Sequence, residues 1–254
     1  MKTRLIPLAL ALVAGSLILN SCRKKDEDPP QPNPQGGKVK IEMTNKVGNQ
    51  QIFLDSGWYL NENNDSFQVS IFNYYLSNFK LMGPDSAWYA EEESYHLIKH
   101  GVDSTYNFDM EDVPAGTYTS VSFMIGVDSA RNTSGAQTGA LDQTHGMFWD
   151  WNTGYIMMKF EGTSPSAPNN KVTLHPGGFS GANNTVREVT LQLPQPITVD
   201  DNTPHIHIAA DLLELFKSPH TIDFSQMHTV MHSGPNAARL ADNYENMFSV
   251  IMVE

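Results

Sequence analysis

The chain has 254 residues, with 16 Lys and Arg against 28 Asp and Glu, a formal charge of −12 at pH 7, and a single cysteine. That acidity repels phosphate backbones and argues against nucleic-acid binding, and one cysteine excludes an internal disulfide. Setting aside a leader (1–21) and a polar tether (22–37) leaves a body, 38–254, with 11 basic and 25 acidic residues, long enough to bury a core as one domain.

Lys2 and Arg4 precede an apolar stretch from Leu5 to Leu19, interrupted by Pro7, Gly15 and Ser16. Its length suits the core of an export signal and is short for a membrane span. The stretch ends in Leu19-Asn20-Ser21-Cys22, which resembles a bacterial lipobox, where the cysteine becomes the first mature residue and carries acyl chains. Several chains on one residue anchor far better than a single chain. The protein is therefore expected to be an outer-membrane lipoprotein held through Cys22, at the periplasmic face or the cell surface. Residues 23–37 contain nothing that could enter a core, and Pro29, Pro30, Pro32 and Pro34 bias them toward an extended, solvated tether. The basic-then-acidic run over 23–28 resembles the surface-export tag of some Gram-negative lipoproteins; it reads equally as a plain solvated charge run.

In the body, period two dominates. Val39, Ile41 and Met43 alternate with charged residues. Phe67, Val69 and Ile71 begin an alternation that continues through Tyr75, Ser77, Phe79 and Leu81. Val189, Leu191 and Leu193 repeat the pattern, as do Ile206 and Ile208 against His205 and His207. Residues 118–127 and 155–160 read as β-branched or aromatic strands, with turns at 114–116 and 176–178 and a loop over 162–168. Helix is limited to one turn over 211–216 and a one-faced segment over 237–248, introduced by Pro235 and Asn236. The expected fold is mostly β, an antiparallel β-sandwich with a few short helices.

No phosphate loop, dinucleotide fingerprint, nucleophile elbow or H-E-x-x-H occurs, and one cysteine permits no C-x-x-C. The expected role is binding, not catalysis. Nine histidines carry the remaining chemistry, and imidazole together with methionine suits copper. His205 and His207, two apart on a strand, share a face; they are either two ligands or the solvent side of a half-buried strand. His228 and His232 at i, i+4, beside Met227 and Met231 at the same spacing, would make a soft N/S stripe on a helix. Gly234-Pro235 closes that segment quickly, so a packed corner is the plainer outcome. Trp149 and Trp151 share a face if extended, and either plug one end of the sandwich or form an aromatic platform for redox chemistry or sugar stacking.

Several strings recur in a set order: Asn73-Tyr74-Tyr75-Leu76-Ser77-Asn78-Phe79, Tyr95-His96-Leu97, Gly126-Val127-Asp128, and Met147-Phe148-Trp149-Asp150-Trp151-Asn152-Thr153-Gly154-Tyr155 with Glu161-Gly162. Leu174-His175-Pro176-Gly177-Gly178 and Asn243-Tyr244-Glu245-Asn246-Met247-Phe248 follow. Together they resemble the MbnP-like family from about Lys38 onward. The resemblance implies an exported β-rich protein of a kind in which several members bind copper through two histidines, with His96 and His175 the matching positions here. It also implies, for some members, a di-haem peroxidase partner of the MauG kind that oxidises a tryptophan to kynurenine near the metal. In copper-binding relatives that tryptophan lies two residues before a ligand histidine; here Ser94 holds that position before His96, and no Trp-x-His occurs. Trp149 and Trp151 are then the candidates for oxidation. The resulting expectation is a copper protein for acquisition, buffering or transfer. The alternatives are a redox substrate of such a peroxidase and a carbohydrate-binding surface lipoprotein.

Overall fold

A computed structural model describes residues 36–150 and 154–254; the leader, Cys22 with most of the tether, and Trp151 lie outside the described residues. The chain enters through β1 (Gly37–Val47), β2 (Gln50–Gln51), β3 (Tyr59–Leu60) and the long β4 (Ser66–Met82). β5 (Trp88–Ala90), β6 (Tyr95–Lys99), β7 (Asn107–Val113) and β8 (Gly116–Ile125) follow, then the single-turn α1 (Ser129–Asn132). Next come β9 (Phe148–Trp149), β10 (Gly154–Tyr155), β11 (Met158–Thr163), β12 (Lys171–Leu174), β13 (Arg187–Val199) and β14 (His205–Asp211). A 3₁₀ turn over Leu212–Phe216, β15 (Thr229–Val230), α2 (Pro235–Tyr244) and β16 (Phe248–Val253) complete it.

Among the described residues these strands form a five-stranded sheet, β16-β14-β1-β2 with β7 also on β1, a nine-stranded sheet, β13-β8-β4-β11-β12-β15 with β3, β5 and β6 on β4, and a two-stranded β9–β10 ribbon. This is the expected mostly β, sandwich-like architecture with few helices. Two pairings are parallel, β1 with β14 and β12 with β15, so the sheets are mixed where an antiparallel sandwich was expected. The inner faces meet in one core: Phe248 of β16 packs edge-on against Tyr74 and Phe123 of the larger sheet, with ring centroids 5.7 and 5.3 Å apart. The phenol of Tyr74 donates to Asn45 Oδ1 across the two sheets at 2.7 Å, which satisfies two polar groups that would otherwise be costly to bury. A smaller core lies on the other face of the large sheet, where Tyr75, Leu97, Trp149, Tyr155 and Met157 are buried together. Phe248 was expected to end the last helix; instead α2 stops at Tyr244 and Phe248 opens a strand, because its ring is needed between Tyr74 and Phe123.

β4 does not keep its alternation. Phe67 and Val69 face the main core, then Phe72, Tyr74 and Leu76 do, then Phe79 and Leu81. The phase changes where β4 carries one residue more than its neighbour. Glu161 pairs Ile71 while Gly162 pairs Val69, and further on Ser77 pairs Met124 while Lys80 pairs Ser122. Each extra residue is a β-bulge that turns the following side chains to the opposite face; Asn78, at the second, has φ 54°. Gly162 sits at the first bulge so close to β4 that a Cβ there would lie 2.1 Å from the carbonyl oxygen of Gln68. Gly162→Ala is accordingly expected to cost about 1–3 kcal/mol, read from urea denaturation; an unchanged midpoint would show that the two strands can separate freely at this point.

Candidate metal centre

β14 lies between β1 and β16, and its alternation divides its chemistry by face. Ile206 and Ile208 are fully buried in the core, so His205 and His207 project from the outer face of the five-stranded sheet. On one side, parallel β1 sets Lys40 beside His205 and Glu42 beside His207. On the other, antiparallel β16 sets Met252 beside His207. His205 and Glu254 exchange backbone hydrogen bonds of 3.0 Å in both directions, which fixes Glu254 directly across from His205.

Donor atoms of His205, His207 and Glu254 all lie within 4.8 Å of one another, a three-residue cluster with metal-ligand chemistry found among the described residues. The two imidazole rings stand 6.3 Å apart. Glu42 Oε2 is 3.5 Å from His207 Nδ1, and Glu254 Oε1 is 3.8 Å from His207 Nε2. The Nε2 atom is buried and has no hydrogen-bond partner; at 3.8 Å the Glu254 oxygen is too far to serve as one. A carboxylate at Nδ1 favours the proton there and leaves the Nε2 lone pair toward Glu254, the arrangement by which an outer carboxylate orients a metal-bound imidazole. The site therefore offers two imidazoles and a carboxylate with one nitrogen unsatisfied. That donor set fits a divalent transition ion such as Cu(II) or Zn(II).

The two histidines matched by resemblance are not brought together. His96 lies on the inward side of β6, its ring stacked on Phe108 at 3.6 Å and edge-on to Phe79 at 5.7 Å. Its Nε2 is 3.5 Å from Ser94 Oγ and 4.0 Å from Glu91 Oε2. Burial pushes the Glu91 carboxyl up, but the nearby His96 imidazole and hydrogen bonds from the Ser94 hydroxyl and the Glu111 N–H outweigh it and hold the pKa below the usual range. His175 follows β12 and pairs with Glu161 Oε1 at 3.0 Å, on the face opposite inward-pointing Phe160. Asn73 and Tyr74 pair with both β6 and β11, so those strands flank opposite edges of β4. His96 and His175 thus stand three strand spacings apart, about 14 Å in the cross-strand direction alone, and on opposite faces.

His228 and His232 flank the two-residue strand β15 and not a helix, so the i, i+4 stripe does not form. Thr173 donates its N–H to the His228 carbonyl at 2.7 Å, and His175 donates to that of Val230 at 2.7 Å; pairing with β12 has taken the backbone that a helix would use. Met227 is buried and Met231 exposed, the packed corner. Trp149 is only 4% exposed, with its six-membered ring against Gly177, where a Cβ would come within 2.6 Å. It closes the smaller core as a plug and presents no face to a sugar. Sequence reasoning missed Glu42, Glu254 and Met252, because their proximity to the histidines is set by strand pairing and by no local spacing.

The MbnP family profile matches residues 36–233. Among solved structures, the chain is similar to MbnP from Methylosinus trichosporium, at 12% identity and a TM-score of 0.49 over 78% of this chain and 81% of that one. No curated protein matches. With its profile match spanning most of the sandwich, the chain belongs to the MbnP family.

Proposed function

We propose that this protein is an exported copper-binding lipoprotein, anchored through Cys22 to the outer membrane, that holds copper for acquisition, buffering or transfer and catalyses no reaction itself. The observation that carries this reading is the convergence of His205, His207 and Glu254 in a member of the MbnP family. The acidic body supports it by favouring cations near the surface, and the buried, unpartnered Nε2 of His207 supports it because such an atom is stabilised by an ion and by little else nearby. The leader and its cysteine support the location.

Copper titration of the purified full-length protein in mild detergent, under reducing and oxidising conditions, tests the site. The parent is expected to bind one copper. His205→Ala/His207→Ala is expected to weaken binding by about 100-fold or more, since even residues that only orient a ligand are worth 10–100-fold. His96→Ala/His175→Ala is expected to leave the affinity within a few-fold. Unchanged binding in the first variant, or loss confined to the second, would overturn the assignment of the site.

A further inference from the structure

The outer face of the five-stranded sheet carries a fourth donor of different character. Met252 is paired with His207 in the β14–β16 register and is 44% exposed. Directly opposed residues of an antiparallel pair project to the same face with Cβ atoms about 5 Å apart, so Met252 and Glu254 flank the two histidines from one strand. Val253 between them points inward and is 8% exposed. Met252 belongs to neither hydrophobic core, whereas Met43, Met110 and Met158, also on strands, lie in the main one.

We propose that Met252 is a ligand of this site, so that one pair of histidines serves both oxidation states of copper: His205, His207 and the Met252 thioether for Cu(I), and His205, His207 and the Glu254 carboxylate for Cu(II). The inference rests on the proposed copper site. Thioether sulfur is soft and selects Cu(I), whereas carboxylate oxygen is hard and suits the divalent ion. Both belong to flexible, solvent-facing side chains on the terminal strand, so either can approach while the imidazoles stay fixed by β14. Glu42, 3.5 Å from His207 Nδ1, faces the same side of the His207 ring in both sets.

Titration of Cu(I) and of Cu(II), each against a competing chelator, on the full-length parent, Met252→Leu and Glu254→Gln tests it, together with X-ray absorption of the Cu(I) form. Met252→Leu is expected to weaken Cu(I) about tenfold or more, to change Cu(II) by less than threefold, and to remove a directly bonded sulfur scatterer. Glu254→Gln is expected to do the reverse for affinity. Equal Cu(I) affinity in parent and Met252→Leu, or no sulfur scatterer in the parent, would overturn the role of Met252 and leave the copper site standing. A parent that binds neither ion would overturn the site itself. Unchanged thermal melting of the two metal-free variants separates ligand loss from misfolding.

Discussion

Phe67→Ala is expected to lower the stability of the protein by about 3–5 kcal/mol, the range for deleting a fully buried aromatic ring, and to lower the melting temperature by on the order of 10 °C. Phe67 is fully buried and its ring is surrounded: Tyr59 at 5.6 Å, Phe216 at 5.2 Å, Phe224 at 5.9 Å and Phe160 at 6.0 Å, all but the first edge-on. Such contacts add to the area buried, because the positive ring edge meets the negative face. The surroundings cannot collapse into the gap. Phe160 and Phe67 are fixed on paired strands, while Asp65, which accepts the Phe224 N–H at 3.0 Å, pins the segment that delivers Phe224. Phe67→Leu is expected to recover more than half of the loss. Guanidinium denaturation of parent and both variants measures it, and a loss below about 1 kcal/mol for alanine would mean that this end of the sandwich repacks freely.

Acidification supplies the second large effect. Burial pushes the His175 imidazole down first, and the Lys159 ammonium pushes it further; Glu161, although 3.0 Å away, offsets only part, and the pKa falls from 6.5 to about 4. The unfolded chain takes up its proton near the ordinary value, while the folded chain declines it until about pH 4. Stability is therefore fully present above pH 6.5, is lost as the pH falls from there to about 4, and changes no further through this group below that. The difference is about 3 kcal/mol. Carboxylates titrate in the lower part of the same window, so the measurement is a difference: urea midpoints of the metal-free parent and of His175→Gln at pH 7, 5.5 and 4. The variant is expected to show the shallower decline, and parallel declines would remove His175 as the cause.

Much of the fold is legible in the sequence because strands declare themselves by period two. His205 to Ile208 is the clearest example: two isoleucines go in and two imidazoles out, as the alternation dictates. β4 shows where such reasoning stops. Its apolar residues follow one parity, change to the other and change back, and only the partner strands reveal the two inserted residues. The site divides in the same way. That His205 and His207 share a face follows from two-residue spacing. That Glu42 and Glu254 join them depends on pairings with the first and last strands of the sandwich. His228 and His232 show the converse, a local spacing that suggested a helix and lost to long-range pairing with β12.

The parallel union of β1 with β14 also sets the order in which the molecule can be assembled. β1 lies at the start of the body, yet its central position in the five-stranded sheet requires residues 205–211, and its inner edge stays unpaired until they arrive. Until those residues are available, that strand, with Val39, Ile41 and Met43 on one side, is held only along its other edge, by β2 and β7. Pairings this distant are slow to form and leave strand edges open to other chains. The smaller sheet is complete only when β14 and β16 have joined it, and the histidines on β14 meet Glu42 and Glu254 only then, so the clustering of His205, His207 and Glu254 would report a finished fold.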